Sequence, residues 1–194
     1  MSRGPVDLSR RCRRCLFPAA ECLCADIPRI PTRTRFLLLR HASERTRPTN
    51  SGRWAALALP SARLVDYALP GEETDLAPLA EPGTVVLFPS PHPGALEARP
   101  RQVVVLDATW QQARRMIQRI PALRTLPRLS VPPRARPASH RPMRRPTVQG
   151  GLSTLEAMAG ALELLGEAEA ARALDGVHEA AQVRGWRLRA GGRA

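Results

Sequence analysis

Four short apolar runs, at 36–39, 63–67, 84–88 and 103–107, restrict the fold of this chain more than any other feature. Each has the length of a strand and is partly β-branched. The runs are continuous, not alternating, which suits strands buried on both faces, as in a parallel sheet. Between the first two, residues 50–59 fit a short helix. After the fourth, Trp110, Ala113, Ile117 and Ile120 recur at helical spacing. Strands alternating with helices predict an α/β fold with a mostly parallel sheet and a ligand site at the carboxyl ends of its strands.

Residues 121–150 carry seven prolines and seven arginines, which predicts a long functional loop broken by a brief strand at 129–131. From Ser153 onward the pattern is helical. Leu155, Met158, Ala159, Leu162 and Leu165 form one stripe, and Ala171, Leu174 and Val177 form another after a break near Gly166. Upstream, Pro28 and Pro31 interrupt regular structure at the end of a Cys- and Arg-rich segment. A length of 194 residues accommodates one domain, placed at 35–190, preceded by a small appendage at 1–34. With aromatics at 4%, the core must be built from Leu, Val, Ile and Ala.

All 30 basic side chains are arginine, against 17 acids, for a formal charge of +13. The charge is segregated: residues 1–60 hold 12 Arg and 4 acids, 99–145 hold 12 Arg and 1 acid, and 61–98 hold 1 Arg and 6 acids. Two basic segments around an acidic one predict a binding face for a polyanion, and arginine suits bidentate phosphate contact and base stacking. No apolar run approaches the roughly 18–20 residues that span a bilayer, and the N-terminus lacks a signal-peptide core. A cytoplasmic protein without membrane contact is the expectation. Disulfides are disfavoured in that compartment.

The four cysteines fall within thirteen residues, as Cys12-x2-Cys15-x6-Cys22-x-Cys24. Two knuckle-like pairs at this spacing suit a tetrahedral structural Zn2+ site. Full thiolate coordination leaves no open position for chemistry, so the ion would hold the segment and present Arg10, Arg11, Arg13 and Arg14.

The run at 103–107 delivers Asp107 to its carboxyl end, just before a helix whose Thr109 and Gln112 make a capping box. Asp107 is the one acid among twelve arginines in its region. Asp107, Thr109 and Trp110, followed by Ala113, Arg114, Arg115 and Met116, resemble the D-x-T-W signature of the DTW-domain family. Further likenesses follow the family's order: the cysteine set, the turn Arg47-Pro48-Thr49-Asn50-Ser51-Gly52-Arg53, and the strand end Leu87-Phe88-Pro89-Ser90. Downstream come Leu129-Ser130-Val131, then Arg144-Arg145-Pro146 leading to Leu152-Ser153-Thr154-Leu155-Glu156-Ala157. The resemblance covers about residues 12 to 165. Ser51 stands where Thr is common, and 141–146 is an arginine-rich variant.

The resemblance implies a tRNA-uridine aminocarboxypropyltransferase related to the knotted SPOUT enzymes, with S-adenosylmethionine as donor and N3-substituted uridine and methylthioadenosine as products. It implies a SPOUT-like trefoil knot, which general folding rules would not suggest. The matching positions imply the following roles. Asp107 is the candidate base, with Thr109 and Trp110 beside it. Leu87, Phe88, Pro89, Ser90, Leu129, Val131, Ser153 and Thr154 would meet the donor. Arg47, Asn50, Arg53, Arg114 and Arg144 would meet the substrate. Competing roles remain: Ser153 with Glu156 forms a capping box, Asn50 caps a helix, and Trp110 at the start of an amphipathic helix is more often core than a stacking platform. His41, His92, His140 and His178 show no ligand-like spacing and receive no role. The expected partner is tRNA, not DNA, and the chain is compatible with a monomer or a homodimer. A SPOUT-like RNA methyltransferase and a non-catalytic zinc-dependent RNA-binding protein are the rival readings.

Overall fold

The computed structural model describes residues 7–90, 98–132, 143 and 150–191. Its strands are β1 (Arg35–His41), β2 (Ala62–Tyr67), β3 (Thr84–Leu87), β4 (Gln102–Asp107) and β5 (Arg128–Leu129). They form one sheet in the order β2-β1-β4-β3-β5, with every adjacent pair parallel. The helices are α1 (Ser51–Ala58), α2 (Trp110–Arg119), α3 (Pro121–Thr125), α4 (Thr154–Leu164) and α5 (Ala168–Gly191). This is the predicted α/β class.

The continuous apolar runs follow from cores on both faces of the sheet. Side chains alternate along a strand, so Phe36, Leu38, Val103 and Val105 enter one core beneath α1, α4 and α5. Leu37, Leu39, Val104 and Leu106 enter a second core beneath α2 and α3. All six residues of central β4 are buried, whereas edge strand β2 is mostly half-buried.

The predicted capping boxes form at Thr109–Gln112 and Ser153–Glu156. The break near Gly166 is a left-handed turn, φ 71°, in which Gly166 N–H bonds Glu163 O at 3.0 Å and Glu167 N–H bonds Leu162 O at 2.8 Å. Two expectations differ from the structure. Residues 121–150 do not begin as loop, because Pro121 occupies the first turn of α3, where its missing N–H costs nothing, and Leu123 is fully buried. The brief strand is also displaced, to 128–129. The path from β5 to α4, which decides whether the chain is knotted, runs through 133–149 and lies almost entirely outside the described residues.

The cysteine segment packs into the main body. Cys15, Phe17, Leu23 and Ile30 belong to the same core as β1 and α1, and Phe17 packs against Trp54 with centroids 5.5 Å apart and planes tilted by 33°. Among the described residues no helix is long and apolar enough to cross a membrane.

The topology creates a crevice. From β1 the chain passes through α1, on one face, to β2; from β4 it passes through α2, on the other face, towards β5. Adjacent strands whose connections leave for opposite faces open a gap at their carboxyl ends. Asp107, the last residue of β4, sits at that gap, in register with Arg40 of β1.

Candidate functional site

Asp107 is 2% exposed and is held by groups from two helices. Asn50 Nδ2 donates to its Oδ2 at 2.7 Å, and Thr154 Oγ1 donates to its Oδ1 at 2.8 Å. Asn50 caps α1, its Oδ1 accepting Arg53 N–H at 2.9 Å; Thr154 is the first residue of α4. Leu155 N–H bonds Ser51 Oγ at 3.3 Å, fastening the two helix starts together. Both helices thus aim their positive amino ends towards one carboxyl. Burial pushes Asp107 above the usual carboxylate range, against the lowering effect of Asn50 and Thr154.

Around this seat lies a cavity of about 670 Å³, within the roughly 300–1,000 Å³ of sites that enclose drug-sized ligands. Leu87, Phe88 and Pro89 line it from the end of β3, Asp107, Thr109 and Trp110 from the β4–α2 turn, and Val131 from beyond β5. Asn50 lines it from α1, and Ser153 and Thr154 from α4. Ten of the residues singled out in the sequence thus meet at one cavity. Ser90, Leu129, Arg47, Arg53 and Arg114 are not among its lining residues, and Arg144 lies outside the described residues. Arg47 and Arg114 are exposed, and Leu129 is buried in the core.

The cavity also collects residues that spacing did not flag. Glu44, 2% exposed, reaches it from the turn after β1. His178 and Gln182 reach it from α5, where His178 Nε2 lies 3.4 Å from Ser153 Oγ and 3.3 Å from Gln182 Nε2. His178 and Gln182 are one helical turn apart, but nothing in the sequence says that this turn faces a site and not solvent.

The four sulfurs lie within 4.8 Å of one another, with Cys12–Cys24 at 3.7 Å and Cys15–Cys22 at 3.8 Å. A tetrahedron with metal–sulfur bonds of about 2.3 Å has edges of about 3.8 Å, so the donor set and its dimensions fit zinc. The Cys15 backbone N–H holds the Cys12 thiol down to about 6, while burial and the neighbouring thiols push Cys24 up to about 12. A dication would relieve the mutual repulsion of the thiolates. Leu16 takes a left-handed conformation, φ 62°, unusual for a branched residue, in the turn that brings Cys12 and Cys15 together.

The DTW-domain model matches residues 9–183, nearly the whole chain. The chain belongs to the DTW-domain family. It is 29% identical over 178 residues to tRNA-uridine aminocarboxypropyltransferase 2 of Drosophila melanogaster, covering 85% of this chain and 70% of that protein. No solved structure matches it significantly.

In this DTW chain the three signature residues take three different positions. Asp107 occupies the polar seat. Thr109 Oγ1 accepts Gln112 N–H at 3.4 Å, and Gln112 Oε1 accepts Thr109 N–H at 2.9 Å, so Thr109 is engaged as a helix cap. Trp110 is not core: it is half-buried and stacks on Phe88 with centroids 5.1 Å apart and planes 5° from parallel. Arg128 lies over Phe88, 5.5 Å from its centroid. Trp110 escapes burial because the inward stripe of α2 is taken by Ala113, Met116 and Ile117.

Proposed function

We propose that this protein is a tRNA-uridine aminocarboxypropyltransferase, moving the 3-amino-3-carboxypropyl group of S-adenosylmethionine to N3 of a tRNA uridine. Residues 35–190 would form the catalytic domain and 1–34 a zinc-binding segment. The observation that carries this reading is the charge of the cavity. In a chain of +13, the charged side chains among its described lining residues are Glu44, Asp107 and Glu156, with no arginine. A described lining that bears carboxyls and no arginine suits a cation and disfavours a phosphate. The family and the name of the Drosophila relative support the same reading.

When bound, the donor supplies an electrophilic carbon next to a sulfonium whose positive charge disappears on transfer. The apolar walls, Leu87, Phe88 and Val131 among them, would exclude water from that carbon. The cavity carboxyls would favour the cationic donor over its neutral thioether product, which assists release. Alkylation forms the N3–carbon bond, breaks the carbon–sulfur bond and sheds the N3 proton. Asp107, made more basic by burial, would accept that proton on an oxygen that keeps a second lone pair beside its bond to Asn50 or Thr154.

The deciding experiment incubates purified protein with an unmodified tRNA transcript and the donor, then weighs the digested nucleosides. A uridine heavier by one aminocarboxypropyl group, with methylthioadenosine in equal amount, is expected. A methylated nucleoside with S-adenosylhomocysteine, or no covalent product, refutes the proposal.

A further inference from the structure

Among the described residues the cavity lining bears carboxyls and no arginine, yet the chain just outside it is strongly basic. Residues 8–20, around the first two cysteines, contain no Asp or Glu, and neither do residues 45–53, which lead into the cavity wall at Thr49 and Asn50. These two segments are far apart in sequence and are held side by side by one side chain. Arg53 Nη1 donates to Arg14 O at 3.4 Å, and Arg53 Nη2 donates to Arg45 O. The side chains of Arg13, Arg14, Arg45 and Arg47 are left exposed around that bridge. The nearby acid, Asp66, is bound in bidentate fashion by Arg40, at 2.7 and 3.0 Å, and Arg45 only reaches it at 3.8 Å.

We propose that Arg13 and Arg14 of the cysteine knuckle and Arg45 and Arg47 of the β1–α1 turn form one continuous track for a nucleic-acid phosphate backbone, leading to the cavity mouth. The cysteine segment is then an RNA-docking element as well as part of the fold. This rests on the reading of the protein as a tRNA-modifying enzyme.

Three features favour RNA over an acidic protein as the occupant. The cations are all guanidinium groups, which pair bidentately with phosphate and stack on unpaired bases. They lie on two bridged segments, one of which enters the cavity wall at Thr49 and Asn50, so a strand held on them would have a neighbouring nucleotide near the opening. The cavity's own carboxyls repel phosphate, which confines the backbone to the rim and admits only a base.

The test compares two charge-matched triple variants. R13Q/R14Q/R45Q removes three charges from the track. R29Q/R101Q/R172Q removes three exposed arginines elsewhere on the surface. Binding of a labelled, unmodified tRNA transcript is titrated from low to high salt. Each lost phosphate contact should lower the slope of log affinity against log salt by roughly 0.7–0.9, so the track variant should be shallower by about two to three. Its affinity near 0.1 M salt should fall at least ~10-fold, while the control variant changes little. Donor binding by calorimetry and metal content should stay at wild-type values in both.

Equal weakening by the two variants would reduce the effect to net charge and overturn the proposal, as would an unchanged slope in the track variant. Loss of polyglutamate binding with RNA binding intact would assign the track to an acidic protein instead, and also overturn it. Failure of the functional reading looks different: wild-type protein would then bind the transcript along the track and yet transfer nothing to it.

Discussion

The Cα of Gly52 lies directly against the carboxyl group of Asp107: a Cβ built there would stand 2.5 Å from the carboxyl carbon and 2.7 Å from each oxygen. No side chain can occupy position 52 while Asp107 keeps its place. Gly52→Ala therefore separates helix formation from site geometry. Alanine is favoured over glycine inside a helix by about 1 kcal/mol, so α1 alone would gain stability. Displacement of Asp107 should instead lower transfer at least ~100-fold, since misplacement of about 1 Å has that effect. Normal turnover in Gly52→Ala would show that the position of Asp107 is immaterial.

Asp107→Asn keeps shape and replaces one acceptor with a donor. Its amide oxygen can accept from Asn50 Nδ2, and its amide nitrogen can donate to Thr154 Oγ1, so the fold should survive. Donor affinity should weaken only modestly, since Glu44 and Glu156 remain in the cavity, whereas transfer should fall by roughly two to four orders of magnitude if Asp107 takes the N3 proton. Raising the pH should partly rescue the variant, because bulk hydroxide can ionise uracil. Near-normal turnover at neutral pH removes Asp107 from the chemistry.

Two carboxyls should shape the pH dependence of stability with opposite sign. Burial alone would raise Glu167, but bonds from Thr34 Oγ1 at 2.6 Å, the backbone N–H groups of Arg33 and Thr34, and Arg99 leave it lowered. Its contribution is present above its unfolded pKa and is lost as pH falls through the folded one. Asp107 is raised, so the native state holds its proton more tightly, and stability declines as pH rises from the unfolded towards the folded value. Urea unfolding of Glu167→Gln should show a weaker loss on the acid side, and Asp107→Asn a weaker loss towards neutral pH. Parallel pH profiles for wild type and both variants would contradict these assignments.

Removing metal should loosen more than the cysteine segment. Trp54 Nε1 donates to Cys15 O at 3.0 Å, Arg184 Nη1 donates to Cys22 O at 2.7 Å, and Cys15 lies in the main core. Stripping the metal with a chelator should lower Tm by roughly 5–15 °C, a few kcal/mol for a chain of this size, and alter the fluorescence of Trp54. Folded protein purified without metal and melting at the same temperature would dismiss the zinc site.

The sequence by itself determined β1 to β4, the helices α1, α2, α4 and α5, and their order, but not α3 or the exact place of β5. Uninterrupted apolar runs are intelligible only as strands covered on both faces, and capping pairs such as Thr109–Gln112 and Ser153–Glu156 are written within four residues, so local chemistry sufficed. The cysteine cluster was legible for the same reason, its donors being twelve residues apart at most. What short range cannot encode was left to the tertiary structure. Glu44 and His178 lie more than 130 positions apart and line one cavity only because β1 and α5 pack in the same body. Trp110, which reads as a core residue at the head of an amphipathic helix, became a half-buried cavity wall once Phe88, 22 positions earlier, arrived at the end of β3. Gly52 looks like an ordinary glycine of a polar turn; its requirement appears only when β4 brings Asp107 against it, because a steric exclusion belongs to two backbones in space and to neither segment alone.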